Sequence, residues 1–395
     1  MIIFHVDVNS AFLSWTSVQR LKDGSTQDLR SIPSIISGDR EKRHGVVLAK
    51  SIPAGRFGIH TGEPVTDAFR KCPFLATAPP DHALYASYSA ELMRLLRGYS
   101  PVLEQLSIDE CFLDFTEAAG SYPTSEAAAD AIRSDVFRSF GYTVNIGISS
   151  RKVLAKMASD FEKPDRTHTL WPDEIPVKMW PLPVEDLYMA GHAACAVLRK
   201  LEINTIGELA HTDVKLLELH LKSHGRLLWE YANGIDERTV GTVKRDVKGV
   251  GNSTTMPADV LTREEAYPVL KKLSESVSRR LKKSGQLAGM VTVEIRYSDF
   301  SNASHQSTLE SVSSETEAIY KKSRALFDEL WDGRPVRLLG VRTAKLCGEK
   351  DPVQLNLFQR AADERRQKLD EAVGEIRRRY GDDAIRRGTD ENVTK

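Results

Sequence analysis

Three carboxylates draw attention by their surroundings. Asp7 closes the apolar run IIFHVDV, and Asp109 and Glu110 are neighbours inside SIDECFLDF. Burying like charges together is costly unless a cation neutralises them. An all-oxygen donor set favours Mg²⁺, with Mn²⁺ as a substitute, over zinc. Two such ions about 3.5–4 Å apart could activate an attacking hydroxyl and stabilise a leaving pyrophosphate, with no protein nucleophile. The chain has no GxxxxGK[ST] loop, which excludes a P-loop mechanism. Taken alone, an Asp-Glu pair in a strand is more often a solvated strand end. Three acids on two apolar strands tip the reading towards a site.

These acids need elements to hold them. In IIFHVDV, Ile2, Phe4, Val6 and Val8 point one way and Ile3, His5 and Asp7 the other, so Asp7 ends a strand. A helix is expected over 10–22 with Ser10 as a possible N-cap. Residues 23–75 read as irregular apart from a strand at 46–49. A helix is expected near 83–98, one strand over 103–115, a helix over 124–140 and a strand over 142–149. Ser149 or Ser150 is expected to cap the next helix, where Val153, Leu154, Met157, Ala158 and Phe161 recur at helical spacing. Neighbouring side chains on a strand face opposite ways, so Asp109 and Glu110 share a site only if the strand bends. From about 171 the pattern turns helical, with tight turns at Gly191 and Gly207. Residues 237–250 read as a linker. Mixed α/β pattern returns over 251–346: helices at 262–284 and 314–332, and strands at 288–298, 303–310 and 335–345.

The bulk numbers fit several domains. The chain has 395 residues, 41% of them hydrophobic and 28% charged. No apolar run is long enough to span a membrane. The N-terminus reads as a buried strand, not a signal peptide. Four scattered cysteines without a CxxC pair make a zinc site or a disulfide framework improbable and suit a reducing cytoplasm. Basic and acidic residues balance at 55 each, but residues 240–300 hold eleven basic residues against seven acids.

FHVDVNSAF, SIDECFLDF and VNIGISSRKVLAKMASDFEKPD (144–165) together resemble the Y-family DNA polymerases, in the bacterial DNA polymerase IV branch. The resemblance covers nearly the whole chain. It implies an α+β right-hand polymerase: palm at 1–22 and 77–170 (a split βαβ sheet), small fingers at 23–76, and a helical thumb with helix-hairpin-helix at 171–236. A linker at 237–250, an α/β little finger at 251–346 and a tail at 347–395 follow. It implies metal ligation by Asp7, Asp109, Glu110 and the Val8 carbonyl, with two Mg²⁺ (or Mn²⁺). It places the steric gate on Phe12 and nucleotide contacts on Ser10, Ala11, Lys163 and Arg56. On sequence alone Phe12 would be a core residue, and only the motif register favours the gate. SIPAGRFGI (51–59) departs from the family: Ile52 stands where many relatives have tyrosine and Gly55 where they have arginine. Asn9, Ser10 and Ala11 replace an acid and two aromatics. In the first thumb hairpin, Met189 takes a glycine position.

QLNLF resembles a sliding-clamp peptide, with Gln354 and Leu355 leading into Leu357 and Phe358 as apolar anchors. The implied protein is a monomeric, cytoplasmic enzyme acting on primer-template DNA and dNTP, by low-fidelity translesion synthesis without proofreading. Two other readings stay open: a nucleotide cyclase with a similar palm, and an inactive relative that binds DNA or the clamp.

Overall fold

A computed structural model describes residues 1–38, 45–241 and 247–348, together with Ala372 and Arg379. The chain forms two compact units, Met1–Arg245 and Asp246–Lys395. The peptide at 354–358 lies outside the described residues. Among these, no helix is long and apolar enough to cross a membrane.

The first unit begins with β1 (Ile3–Val8) and α1 (Ala11–Lys22). A small sheet follows, formed by β2 (Ser34–Ser37), β3 (Val47–Lys50) and β4 (Ala76–Ala78), with α2 (Ile52–Gly55) and α3 (Val65–Lys71) between β3 and β4. Its order is β3-β2-β4, and Ile35, Val47, Ala54 and Val65 form its core. The described part of residues 23–75 is therefore more regular than its Gly- and Pro-rich sequence suggests. The strands are too short for a period-2 pattern to stand out.

Next come α4 (His82–Arg97), β5 (Leu103–Gln105), β6 (Glu110–Asp114), α5 (Ser125–Phe140), β7 (Val144–Ser149), α6 (Lys152–Asp160) and β8 (Thr167–Thr169). The central sheet runs β5-β6-β1-β7-β8. The single strand expected over 103–115 is two strands, antiparallel in the register Leu103↔Leu113 and Gln105↔Cys111. Residues 106–109 make the turn, and the Leu106 and Ser107 N–H groups donate to the Glu110 carbonyl at 3.0 and 3.3 Å. A continuous apolar run hid a polar turn.

Every residue of β1 and β7 is buried. Phe4, Val6, Val8, Ile146 and Ile148 pack with Trp15, Leu92 and Ile132 of α1, α4 and α5. α6 covers the opposite face, and Gly147 lets it close in. A Cβ there would stand 2.0 Å from the Ala155 carbonyl oxygen and 2.4 Å from the Ser159 nitrogen. The far side of α6 offers Val153, Leu154, Met157 and Ala158 to a helical core shared with Leu198, Ile206, Leu209 and Leu228. Full burial of each such leucine contributes roughly 1.5–3 kcal/mol.

Neither Ser149 nor Ser150 caps α6. The N-cap position is Arg151, with no side-chain bond of its own. Ser149 Oγ instead donates to the Leu170 carbonyl at 2.5 Å, and the Val153 N–H finds Asp236 Oδ2 at 3.0 Å. That cap comes from 83 residues downstream. Val240, in the stretch read as linker, is buried with Ile3, Phe112 and Ala155.

The helical part comprises α7 (Ile175–Lys178), α8 (His192–Lys200), α9 (Ile206–His211), α10 (Val214–Leu221) and α11 (Ser223–Ala232). Gly207 does not make a turn. It lies in α9 against Trp180, whose Cβ would be 3.0 Å from an added Cβ. Met189 holds a left-handed φ of 74° in the hairpin before α8, a conformation that suits the glycine it replaces.

The second unit contains β9 (Gly249–Val260), α12 (Arg263–Lys283), β10 (Gln286–Tyr297), β11 (Asn302–Ser313), α13 (Thr316–Leu330) and β12 (Val336–Gly348). Its antiparallel sheet runs β11-β10-β12-β9. β9 begins at Gly249, inside the expected linker and ahead of the expected domain start.

Candidate active site

Strand pairing delivers the acids to one end of the central sheet. In the β1–β6 register Asp7 lies opposite Glu110, and on its other side Asp7 lies opposite Asn145 of β7. Partners directly across an antiparallel pair project to the same face. Asp109 escapes the alternation of a strand because it is the last residue of the turn. Its carbonyl accepts from the Val8 N–H at 3.1 Å, and its Oδ1 accepts from Ser107 Oγ at 2.5 Å. The bend expected between Asp109 and Glu110 is this hairpin.

Asp7, Val8 and Asp109 line an open cleft of about 290 Å³, together with Ser10, Ala11 and Phe12 at the start of α1. Lys50 and Thr61 line its other wall. Ser10 occupies the N-cap of α1 in a left-handed conformation, and its side chain makes no capping bond. The Phe12 ring stacks on Tyr85, with centroids 4.3 Å apart, and also reaches the cleft. Core packing and site lining are thus both true of Phe12. Arg56 follows α2, is exposed, and is absent from the lining.

The remaining charges form a chain on the α6 side. Lys163 bonds the Asp7 carboxylate and stands 2.8 Å from Asp160. Lys156 contacts Asp160 at 3.3 Å and Glu110 at 2.9 Å. His5, fully buried, meets Ser159 Oγ at 2.8 Å through Nδ1. Its Nε2 faces Glu110 Oε2 at 3.3 Å without an aligned hydrogen bond, an orphaned buried polar atom beside the acids.

The electrostatics separate the two adjacent acids. Burial pushes the Asp109 carboxyl above its ordinary range, and the charges of Asp7 and Glu110 add to it against the Ser107 hydrogen bond. For Glu110, burial also raises the pKa, but the His5 ring and the Lys156 ammonium outweigh it and hold the carboxyl at about 2. Lys156 and Lys163 are disfavoured as cations by burial, yet the surrounding carboxylates raise both above the usual range.

The donor chemistry of Asp7, Asp109 and Glu110 suits a hard divalent cation. Among the described residues, however, no group of three or more His, Cys, Asp or Glu forms a ready cation cage. The contacts explain this: Lys163 takes the Asp7 carboxylate, while Glu110 turns to Lys156 and His5. The lysine ammonium groups serve as internal counter-ions.

The sequence reading missed His5, Lys50, Asn145, Lys156 and Asp160. For two of them a signal existed, since Lys156, Asp160 and Lys163 stand at i, i+4 and i+7, one helical face. Asn145 gave none. Its buried amide donates to the Ser159 and Glu162 carbonyls at 3.1 and 2.7 Å, tying the Lys163 loop to β7. Asn9 is also held in place: its Nδ2 donates to Asn145 Oδ1 at 3.0 Å, and its Oδ1 accepts from Thr143 Oγ1 and the Asp165 N–H, each at 2.9 Å.

Two family models and several relatives match the chain. Residues 6–160 match the impB/mucB/samB family, and residues 247–357 match the impB/mucB/samB family C-terminal domain. A protein named DNA polymerase IV from Clostridium acetobutylicum is 44% identical over 386 residues, covering 98% of this chain and 97% of that protein. Another of that name from Bacillus velezensis is 34% identical over 389 residues, covering 98% of this chain and 92% of that protein. A solved Y-family DNA polymerase chimera, Dbh-Dpo4(243-245)-Dbh, superposes with a TM-score of 0.77 at 22% identity. It covers 88% of this chain and 100% of its own, a likeness of fold.

Proposed function

The chain belongs to the impB/mucB/samB family, the Y-family DNA polymerases, and from that membership we propose that Asp7, Asp109 and Glu110 are its catalytic carboxylates. It is a DNA-templated DNA polymerase of the translesion kind: primed DNA plus a dNTP gives DNA one nucleotide longer plus pyrophosphate.

Asp7, Asp109, Glu110 and the Val8 carbonyl would hold two Mg²⁺, or Mn²⁺ in their place. With metal bound there, the site would supply activation of the primer 3′-hydroxyl and neutralisation of the pyrophosphate charge. The protein's own contribution is placement. The Ser107 bond fixes the Asp109 carboxylate. The start of α1 turns toward the cleft: Ser14 makes the first intrahelical bond, to the Ser10 carbonyl at 2.9 Å, so the earlier N–H groups have no partner within the helix. Such a helix N-terminus receives a phosphate, which assigns triphosphate contacts to Ser10 and Ala11. Lys163 exchanges Asp7 for a phosphate oxygen, and Arg56 is assigned to phosphate by motif register alone. Phe12, backed by Tyr85, fills the space beside a ribose 2′-hydroxyl and excludes ribonucleotides by shape.

The remaining assignments follow the family order: fingers at 23–76, thumb at 171–236, little finger at 251–346, and a clamp peptide at Gln354, Leu355, Leu357 and Phe358. The proposed enzyme is monomeric and cytoplasmic. The observation that carries the reading is the register placing Asp7 against Glu110, with Asp109 on the adjoining turn. The test is primer extension with Mg²⁺ on undamaged and damaged templates. Extension past the lesion is expected. Formation of a cyclic nucleotide from the triphosphate would favour a cyclase, and no reaction with retained DNA binding would favour an inactive relative.

A further inference from the structure

We propose that Lys50 is the cation with which the small sheet grips the incoming triphosphate, and that Gly55 is the residue that makes room for it. The inference rests on reading the cleft as a polymerase active site.

Lys50 ends β3 and lines the same cleft as Asp7, Asp109 and the start of α1. It stands apart from the lysines on the α6 side. Lys152 pairs with Glu104, Lys156 with Glu110, and Lys163 with Asp7. Among the described residues, Lys50 has no such carboxylate partner. Lys50 is half-buried, lines the cleft and lacks a carboxylate partner among the described residues, so an anion entering the cleft would supply the counter-charge. The nearby N-terminus of α1 favours an anion at the same place.

The geometry supports the pairing of Lys50 with Gly55. A Cβ built on Gly55 would stand 2.7 Å from Lys50 Nζ and 3.9 Å from its Cε. The lysine head thus occupies space that any side chain at position 55 would claim. Position 55 is where the resemblance leads one to expect an arginine, and Arg56 was the obvious substitute. Arg56 lies outside the cleft lining, whereas Lys50 is inside it. On this proposal the cation approaches from the strand instead of from the helix.

Two substitutions test this in the full-length chain. Lys50→Met keeps the apolar stem and removes the charge. Its KM for dNTP should rise about tenfold, in line with a lost charge-assisted hydrogen bond. Inhibition by inorganic tripolyphosphate should weaken by a similar factor, while affinity for primed DNA stays unchanged. Gly55→Ala meets only the flexible end of the lysine, so it spares the fold yet displaces the ammonium. It should raise the dNTP KM in the wild-type background and do nothing further in Lys50→Met. Arg56→Ala should change the KM less than Lys50→Met. An unchanged KM in Lys50→Met, or additive effects of the two substitutions, would overturn the proposal. Should the wild-type chain itself fail to extend a primer, the polymerase reading falls instead.

Discussion

In the first unit, β1 and β7 are buried on both faces; in the second, β10 and β12 are buried on one. Val291, Val293, Ile295 and Tyr297 of β10 face Leu270, Val277 and Phe327 of α12 and α13, while Glu294 and Arg296 are exposed. Cross-strand registers put Arg342, Gln306 and Ser253 on the exposed face with them. The difference lies in what a charge requires. On the open face water solvates it, so polar residues need only alternate. In the doubly covered sheet each charge needs a named partner, and Asp7, Glu110, Lys156 and Lys163 supply one another. A surface that grips a long polyanion suits the first arrangement, and a site that gathers metal ions suits the second. The same comparison turns the basic side of α12 away from the open sheet face, because the helix packs on the opposite one.

The severest test of this contrast is Asp109→Ala, expected to lower primer extension on the order of 10³-fold or more while DNA binding persists. Full residual extension would remove the carboxylate site. The same substitution should raise, not lower, the melting temperature of the metal-free chain. The Asp109 pKa is raised on folding, so its ionised form costs stability once the pH exceeds that folded value.

Gly147→Ala sets a new Cβ against the α6 backbone and should destabilise the first unit by about 3 kcal/mol or more. Gly340→Ala, on the open face, meets Glu294 and Ser253 side chains only at 3.3 Å and should cost under about 1 kcal/mol. Urea unfolding of both variants measures the gap, and equal losses would mean the two sheets are not packed differently.

On the open face, replacing Arg296 and Arg342 by serine should lessen the slope of log affinity against log salt by about 2, roughly one per phosphate contact. Replacing Lys271 and Lys272 should change it less. The reverse ranking would put DNA on the helical side.

The smallest effect concerns acid. Glu110 has a pKa of about 2 in the folded chain against an ordinary 4.5, so its stabilisation is present above 4.5 and fades as pH falls towards 2. Glu110→Gln should lose that part of the acid dependence in thermal melts between pH 5 and 2. An unaltered profile would mean that the His5 and Lys156 contacts carry no weight.

Much of the fold could be read beforehand where apolar period and length coincide. α12 was expected at 262–284 and spans Arg263–Lys283; α5 was expected at 124–140 and spans Ser125–Phe140. Reading failed where local signals were weak or partners distant. The turn at 106–109 lay inside an apolar run, the strands of the small sheet were too short, and the cap of α6 came from Asp236. Asp7, Asp109 and Glu110 stood out as candidates because acids are rare in apolar strands. Lys50 did not, since a lysine at a strand end is ordinary by sequence.

By itself the sequence determined which residues could carry the chemistry, because hydrophobic period and residue type are local properties. Only the tertiary structure decided how those residues meet: that Asp7 pairs across to Glu110, that lysines of the α6 segment neutralise both, and that Gly55 leaves its space to Lys50. Those contacts join residues far apart or on different elements, and distances between side chains are set by packing and not by spacing along the chain.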